Sequence, residues 1–254
     1  MAEENKDHIL DLALQMGSLM LENGAETQRV QWTMEMMLSR GDLFAQSYVI
    51  HTGVFVGVHD SSFVSATRFA RITERRVNLE KIILLNDIAR RFNNNELDIE
   101  SCSHELERVS AITDFKPHVQ LICYGLVSMT FTVLFGGKPY DGFASFITGI
   151  ILGIVMLMLS RVRTSAFLAN VVGGSVLTLS AIALVKAGIG VSYIKIIIGA
   201  LMPLVPGFAI TSAARDMVFG DLLSGMSRAG EAVFMSGAIT VGVLIILHVF
   251  TSVL

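Results

Sequence analysis

The chain predicts a helical membrane protein, about five transmembrane helices preceded by a cytosolic α+β domain, and three observations predict it. Of its 254 residues, 52% are hydrophobic and only 16% are charged, against about 25% charged in ordinary soluble domains. The deficit is uneven. Residues 1–117 hold 12 Lys/Arg and 18 Asp/Glu, whereas residues 118–254 hold 7 and 4. The second part also contains five apolar runs, each near the ~20 residues that cross a hydrocarbon core of about 30 Å.

Residues 1–117 read as a self-contained domain. Ile9, Leu12, Met16, Leu19 and Met20 recur at helical spacing, and Asn23-Gly24 stops that helix. Thr27 is positioned to cap a second helix with an apolar face of Val30, Met34, Met37 and Leu38, ending at Gly41. From Leu43 to Phe69 the composition turns β-branched and aromatic, with His59-Asp-Ser-Ser62 as a turn between two strands. Asn78 caps a third helix (Ile82, Leu85, Ile88, Ala89, Phe92), and Asp98 opens a fourth along Cys102, Leu106 and Val109. Lys116-Pro117 leads into the membrane part.

Residues 118–254 divide into runs near His118–Phe135, Phe143–Ser160, Ala166–Val185, Tyr193–Ile210 and Ala232–Leu254. The longest connection is a polar segment at 211–231, read as partly embedded and re-entrant rather than a free loop. An amino terminus inside puts the basic residues of 1–117 with Arg161, Arg163, Arg215 and Arg228. It leaves Lys138, Lys186 and Lys195 outside. That asymmetry predicts a cytoplasmic amino terminus and an external carboxyl terminus. The acidic start lacks the basic and apolar pattern of a cleaved signal peptide. A net charge of −3 offers no basic face for nucleic acid. Two cysteines and the absence of any metal-ligand spacing or phosphate loop predict no metal and no cofactor.

Candidate functional residues concentrate in one region. Pro203 and Pro206 fall inside an apolar run, where each removes a backbone donor, and Gly207 adds freedom, so the helix should break there. Broken helices inside a bilayer can present backbone groups to solutes. Thr211, Arg215 and Asp216 follow. Asp221, Ser224, Arg228 and Glu231 share a face if helical, with spacings of three, four and three. Asn170, one turn into the third run, reads first as interhelical glue and second as a solute contact. The alternative for the charge cluster is a solvated loop. Against that, Met217, Val218, Phe219, Leu222, Leu223 and Met226 are interleaved with it. Gly149 with Gly153 is a small-residue motif that reads first as helix packing, and with Ser236 and Thr240 it offers tracks where a partner helix could approach closely.

Two segments together resemble the threonine/serine exporter family. Leu21-Glu-Asn-Gly-Ala-Glu-Thr-Gln-Arg-Val30 resembles its N-terminal signature. Leu204-Val-Pro-Gly207, Arg215-Asp216, Gly220-Asp221, Ser224-Gly225 and Glu231-Ala232 resemble its membrane signature, and Phe135-Gly-Gly137 also fits. At this length the chain is similar to the split form, in which a YjjP-type subunit works with a smaller YjjB-type membrane subunit. The resemblance implies export of small hydrophilic metabolites, hydroxy amino acids or small dicarboxylates such as succinate, across a bacterial inner membrane. It also implies functional weight for Gly24, Glu26, Thr27 and Arg29 in the first domain, and for Arg215, Asp216, Asp221 and Glu231 in the second. A homo-oligomer is the alternative to the two-subunit form. From the residues alone, two rivals stay open: a membrane-anchored hydrolase using Glu26, Thr27, His51 and Thr52, and a ligand-sensing membrane protein.

Overall fold

The computed structural model describes residues 2–40, 44–59, 65–73, 75–113, 115–162 and 164–252. The helix end expected at Gly41, most of the turn expected at 59–62, Arg163 and Leu254 lie outside them.

The chain forms two compact units. The first comprises Met1–Thr113 with Ile210–Ala229, and the second Asp114–Ala209 with Gly230–Leu254. The segment 210–229 thus groups with the N-terminal residues, although the sequence places it in the membrane part.

In the first unit, helices α1 (Ala2–Glu22) and α2 (Thr27–Ser39) precede strands β1 (Phe44–Ile50), β2 (Gly53–His59) and β3 (Ser65–Arg71). Helices α3 (Leu79–Asn93) and α4 (Ile99–Ser110) follow. The strands form an antiparallel sheet in the order β1-β2-β3. Its inner face sends Val49, Val54 and Val56 into the core with Met16, Met20, Val30, Met34, Leu85, Phe92 and Leu106. Its outer face carries a cross-strand row, Tyr48, Phe55 and Phe69, with ring centroids 6.4 and 6.2 Å apart. The predicted helix faces are the buried ones because a 3.6-residue period leaves little choice of face. Asn78 and Asp98 cap α3 and α4 as expected, accepting from the N–H groups of Lys81 and Ser101.

The second unit is built from apolar helices. These are α5 (Pro117–Leu134), α6 (Pro139–Arg161), α7 (Ala166–Lys186), α8 (Tyr193–Ala200) and the later part of α10 (Leu222–Ser252). A 3-10 turn, Met202–Leu204, separates α8 from α9 (Gly207–Val218). Among the described residues, four helices are long and apolar enough to cross a membrane, or five spans if α8 and α9 count as one broken span. The break falls at Pro203 and Pro206, where no continuous ladder of helix hydrogen bonds can form.

Glycine sets the close helix crossings. A Cβ on Gly149 or Gly153 would come within 3 Å of Tyr124, Ser128 or Leu121 of α5. That track is therefore a packing surface, as its small residues suggested, and the chain's own first span fills it rather than a partner helix. Gly174 meets the backbone at Ile239 and Gly242 the backbone at Val171, so α7 and α10 cross at backbone distance. Asp141, whose role the sequence reading missed, is 1% exposed. It accepts from the N–H groups of Lys138, Val191 and Ser192 at 2.9, 2.7 and 2.9 Å. One carboxylate thus caps α6 and ties down the turn that follows α7. The sequence signal was a proline at the first helical position with Asp141 two residues on.

Candidate functional site

Two glycine-stopped corners build the site. At the first, α1 ends at Glu22 and Gly24 takes φ +93°. The Gly24 N–H donates to the Leu21 carbonyl (3.1 Å) and the Ala25 N–H to the Met20 carbonyl (3.0 Å). At the second, α9 ends at Val218 and Gly220 takes φ +94°. The Gly220 N–H donates to the Met217 carbonyl (3.1 Å) and the Asp221 N–H to the Asp216 carbonyl (2.9 Å). Both are Schellman stops, whose left-handed residue is usually glycine because a Cβ is strained there. Each stop turns the chain sharply and leaves a polar residue at the bend.

The corners meet within the first unit. The Thr27 hydroxyl, 1% exposed, reaches Asp221 Oδ2 at 2.7 Å and Asp216 Oδ1 at 3.1 Å. A hydroxyl carries one hydrogen, so the shorter contact takes the larger share. The Thr27 N–H also donates to Asp216. This corrects the expectation that Thr27 caps α2. The N-cap position is Glu26, which makes no side-chain cap. A carboxylate from α9 satisfies the helix end instead, at the end of the dipole that favours negative charge.

Glu26 is turned away to ion pairs with Arg215 and with Arg29, the latter at 3.2 Å. Arg228, 4% exposed, places Nε 3.0 Å from Asp216 Oδ2. Those two atoms are not aligned as a hydrogen bond, so the contact is a pairing of charges. The other end of the guanidinium donates to the Ala25 carbonyl at 2.9 Å. Arg228 therefore bridges both corners. A carboxylate buried this deeply needs such a partner, because an unpaired charge there costs several kcal/mol, roughly 3–5 when one member of a buried pair is removed. Ser224 is buried on the same face of α10. Gly225 lets α10 approach α9, since a Cβ there would lie 2.9 Å from the Ala213 carbonyl.

The remaining predicted residues separate. Thr211 is exposed on α9. Asp221 precedes α10 rather than lying on it, so it joins Ser224 and Arg228 through the bend, not through a helix face. Asn170, Pro203, Pro206, Gly207 and Glu231 belong to the second unit. The Asn170 amide donates to the Met235 sulfur at 3.1 Å, joining α7 to α10, which is the packing role anticipated first. Pro203 and Pro206 stop α8 and permit α9 to begin at Gly207. His51 and Thr52 form the tight turn between β1 and β2, whose ends pair at Ile50 and Gly53. The His51 carbonyl accepts from Arg75 at 3.1 Å and the Thr52 carbonyl from the Ile72 N–H at 2.9 Å. Both therefore have structural work in the turn. The Ala25 carbonyl was invisible to sequence reasoning because a backbone acceptor has no residue signature.

Four to five apolar spans and a helix–sheet unit clasped to the ends of α9 and α10 define a multi-pass helical membrane protein. Residues 11–250 match the family described as "Putative threonine/serine exporter". The chain belongs to the threonine/serine exporter family. It is similar to a protein of Mycobacterium tuberculosis (strain ATCC 25618 / H37Rv) named "Probable threonine/serine exporter", 21% identical over 251 residues. That alignment covers 96% of this chain and 46% of the relative, so the chain spans about half the length of the curated relative it matches. No solved structure matched the chain.

Proposed function

We propose that the chain is one subunit of a secondary exporter of small hydrophilic metabolites, threonine/serine-type amino acids or small dicarboxylates, in a bacterial inner membrane. In this reading it works with a second, smaller membrane subunit. The first unit faces the cytoplasm. The observation that carries the reading is the meeting of the two family signatures, separated by about 190 residues, at Thr27, Asp216 and Asp221.

An anchored soluble enzyme would have no use for such a clasp. A transporter does, because the clasp gathers charged residues of both signatures at α9 and α10, the helices that carry the membrane signature. Arg215, half-exposed beside Glu26, is the cation nearest to a solute carboxylate, and Asp216 and Asp221 are the acids that would take a coupling proton. The test is solute efflux from cells carrying the chain and its partner subunit. Asp221→Asn should insert at normal levels and lose most efflux, and Asp216→Asn, which also strips Arg228 of its buried partner, should lose efflux together with some of the protein. Full efflux in both variants would reduce the cluster to a structural tie. Robust flux by the purified chain alone in vesicles would defeat the two-subunit arrangement and favour a homo-oligomer.

A further inference from the structure

The segment 210–229 has its amphipathicity reversed. On α9 and the first turns of α10, four polar residues are buried beside Ala213 and Gly225: Ser212, Asp216, Ser224 and Arg228 are each under 5% exposed. From Val218 to Met226 the side chains turned outward are apolar: Val218 is 82% exposed, Leu223 72%, Met226 67%, Leu222 60% and Phe219 56%. Between Met217 and Ser227 the one charged residue is Asp221, and its carboxylate accepts the Thr27 hydroxyl. A corner facing water has the opposite arrangement, and a contiguous apolar patch on a monomer marks an interaction surface.

We infer that this corner, Val218 to Met226, lies in the interfacial layer of the bilayer. The length of α10 carries the assignment. Its 31 residues extend about 46 Å at 1.5 Å per residue. The hydrocarbon core needs only ~20 of them, which the stretch after Glu231 supplies. At the average membrane-helix tilt of about 20°, the whole helix spans roughly 44 Å, the thickness of a bilayer including both headgroup layers. Leu222, Leu223 and Met226 then fall at headgroup depth on one side while Ser252 reaches the other. The exposed apolar side of α10 also runs on without a charged residue through Val233, Phe234, Val241 and Leu244, so the corner continues a lipid-facing surface. An apolar body at the water boundary, with its polar atoms turned inward to the protein, is how interfacial segments are held.

The inference rests on the membrane reading of the helices and not on any solute. The chain has a single tryptophan, Trp32, so Phe219→Trp or Leu223→Trp in a Trp32→Phe background gives a local probe. Each is reconstituted in phosphatidylcholine vesicles with and without brominated acyl chains. Emission from both positions should be blue-shifted and lose most of its intensity in brominated lipid. Red emission quenched by aqueous iodide and untouched by bromine would overturn the inference in favour of water. Blue emission insensitive to both would overturn it in favour of a protein partner. Neither reading depends on flux, so a failure here leaves the exporter proposal standing, and an inactive exporter leaves this result readable.

Discussion

Thr27→Val isolates the clasp with little change in shape. Valine matches threonine in volume but removes the hydroxyl, leaving Asp221 without its 2.7 Å donor and Asp216 without its 3.1 Å contact. One hydrogen makes one full bond to a charged acceptor, worth about 1.5–3 kcal/mol, and the buried surroundings of Thr27 offer no water to replace it. Thr27→Val should therefore destabilise the first unit by about 1.5–3 kcal/mol. Thr27→Ser keeps the hydroxyl and loses a buried methyl, about 0.8 kcal/mol. The measurement is denaturant unfolding of the reconstituted protein followed through Trp32, which lies on α2. A double-mutant cycle with Asp221→Asn should return a coupling of about 1–2 kcal/mol. Additive effects, or Thr27→Val as stable as Thr27→Ser, would refute the argument that this hydroxyl holds the corners together.

Gly242→Ala should destabilise the apolar unit by about 1–3 kcal/mol through overpacking, because its Cβ would meet the backbone at Val171 and Ser175 within 3 Å. Gly237→Ala, five residues earlier with nothing within 4 Å, should be neutral or stabilising by up to about 1 kcal/mol; melting temperatures in detergent compare the two. Burial pushes the Cys102 thiol up to about 11, cutting its thiolate at neutral pH by roughly a hundredfold. Maleimide labelling read by mass spectrometry should leave Cys102 unmodified until the first unit unfolds, and rapid native labelling would show the α4 packing to be open. A reporter fused after Leu254 that is active only outside the cytoplasm should signal, and cytoplasmic activity would reverse the proposed orientation.

The sequence by itself determined which runs are apolar enough to span a membrane, where α3 and α4 are capped, and where one helix breaks, although it started the last helix at Ala232 instead of Leu222. Those properties are local. A run such as Ala166–Lys186 has one physical environment open to it, a buried face such as Ile82, Leu85, Ile88, Ala89 and Phe92 follows from helical period, and two prolines inside four residues end a helix whatever surrounds them. The tertiary structure alone decided what the polar residues do. Thr27 reads as a cap of its own helix because nothing nearby in sequence competes for its hydroxyl. It serves two aspartates because folding brings in carboxylates from about 190 residues away. Gly149 and Gly153 read as a packing track without a named neighbour, since periodicity shows that a face is smooth and not which helix will cover it. Partner choice is settled by distance in space, and a linear pattern carries no distance beyond its own turn of helix.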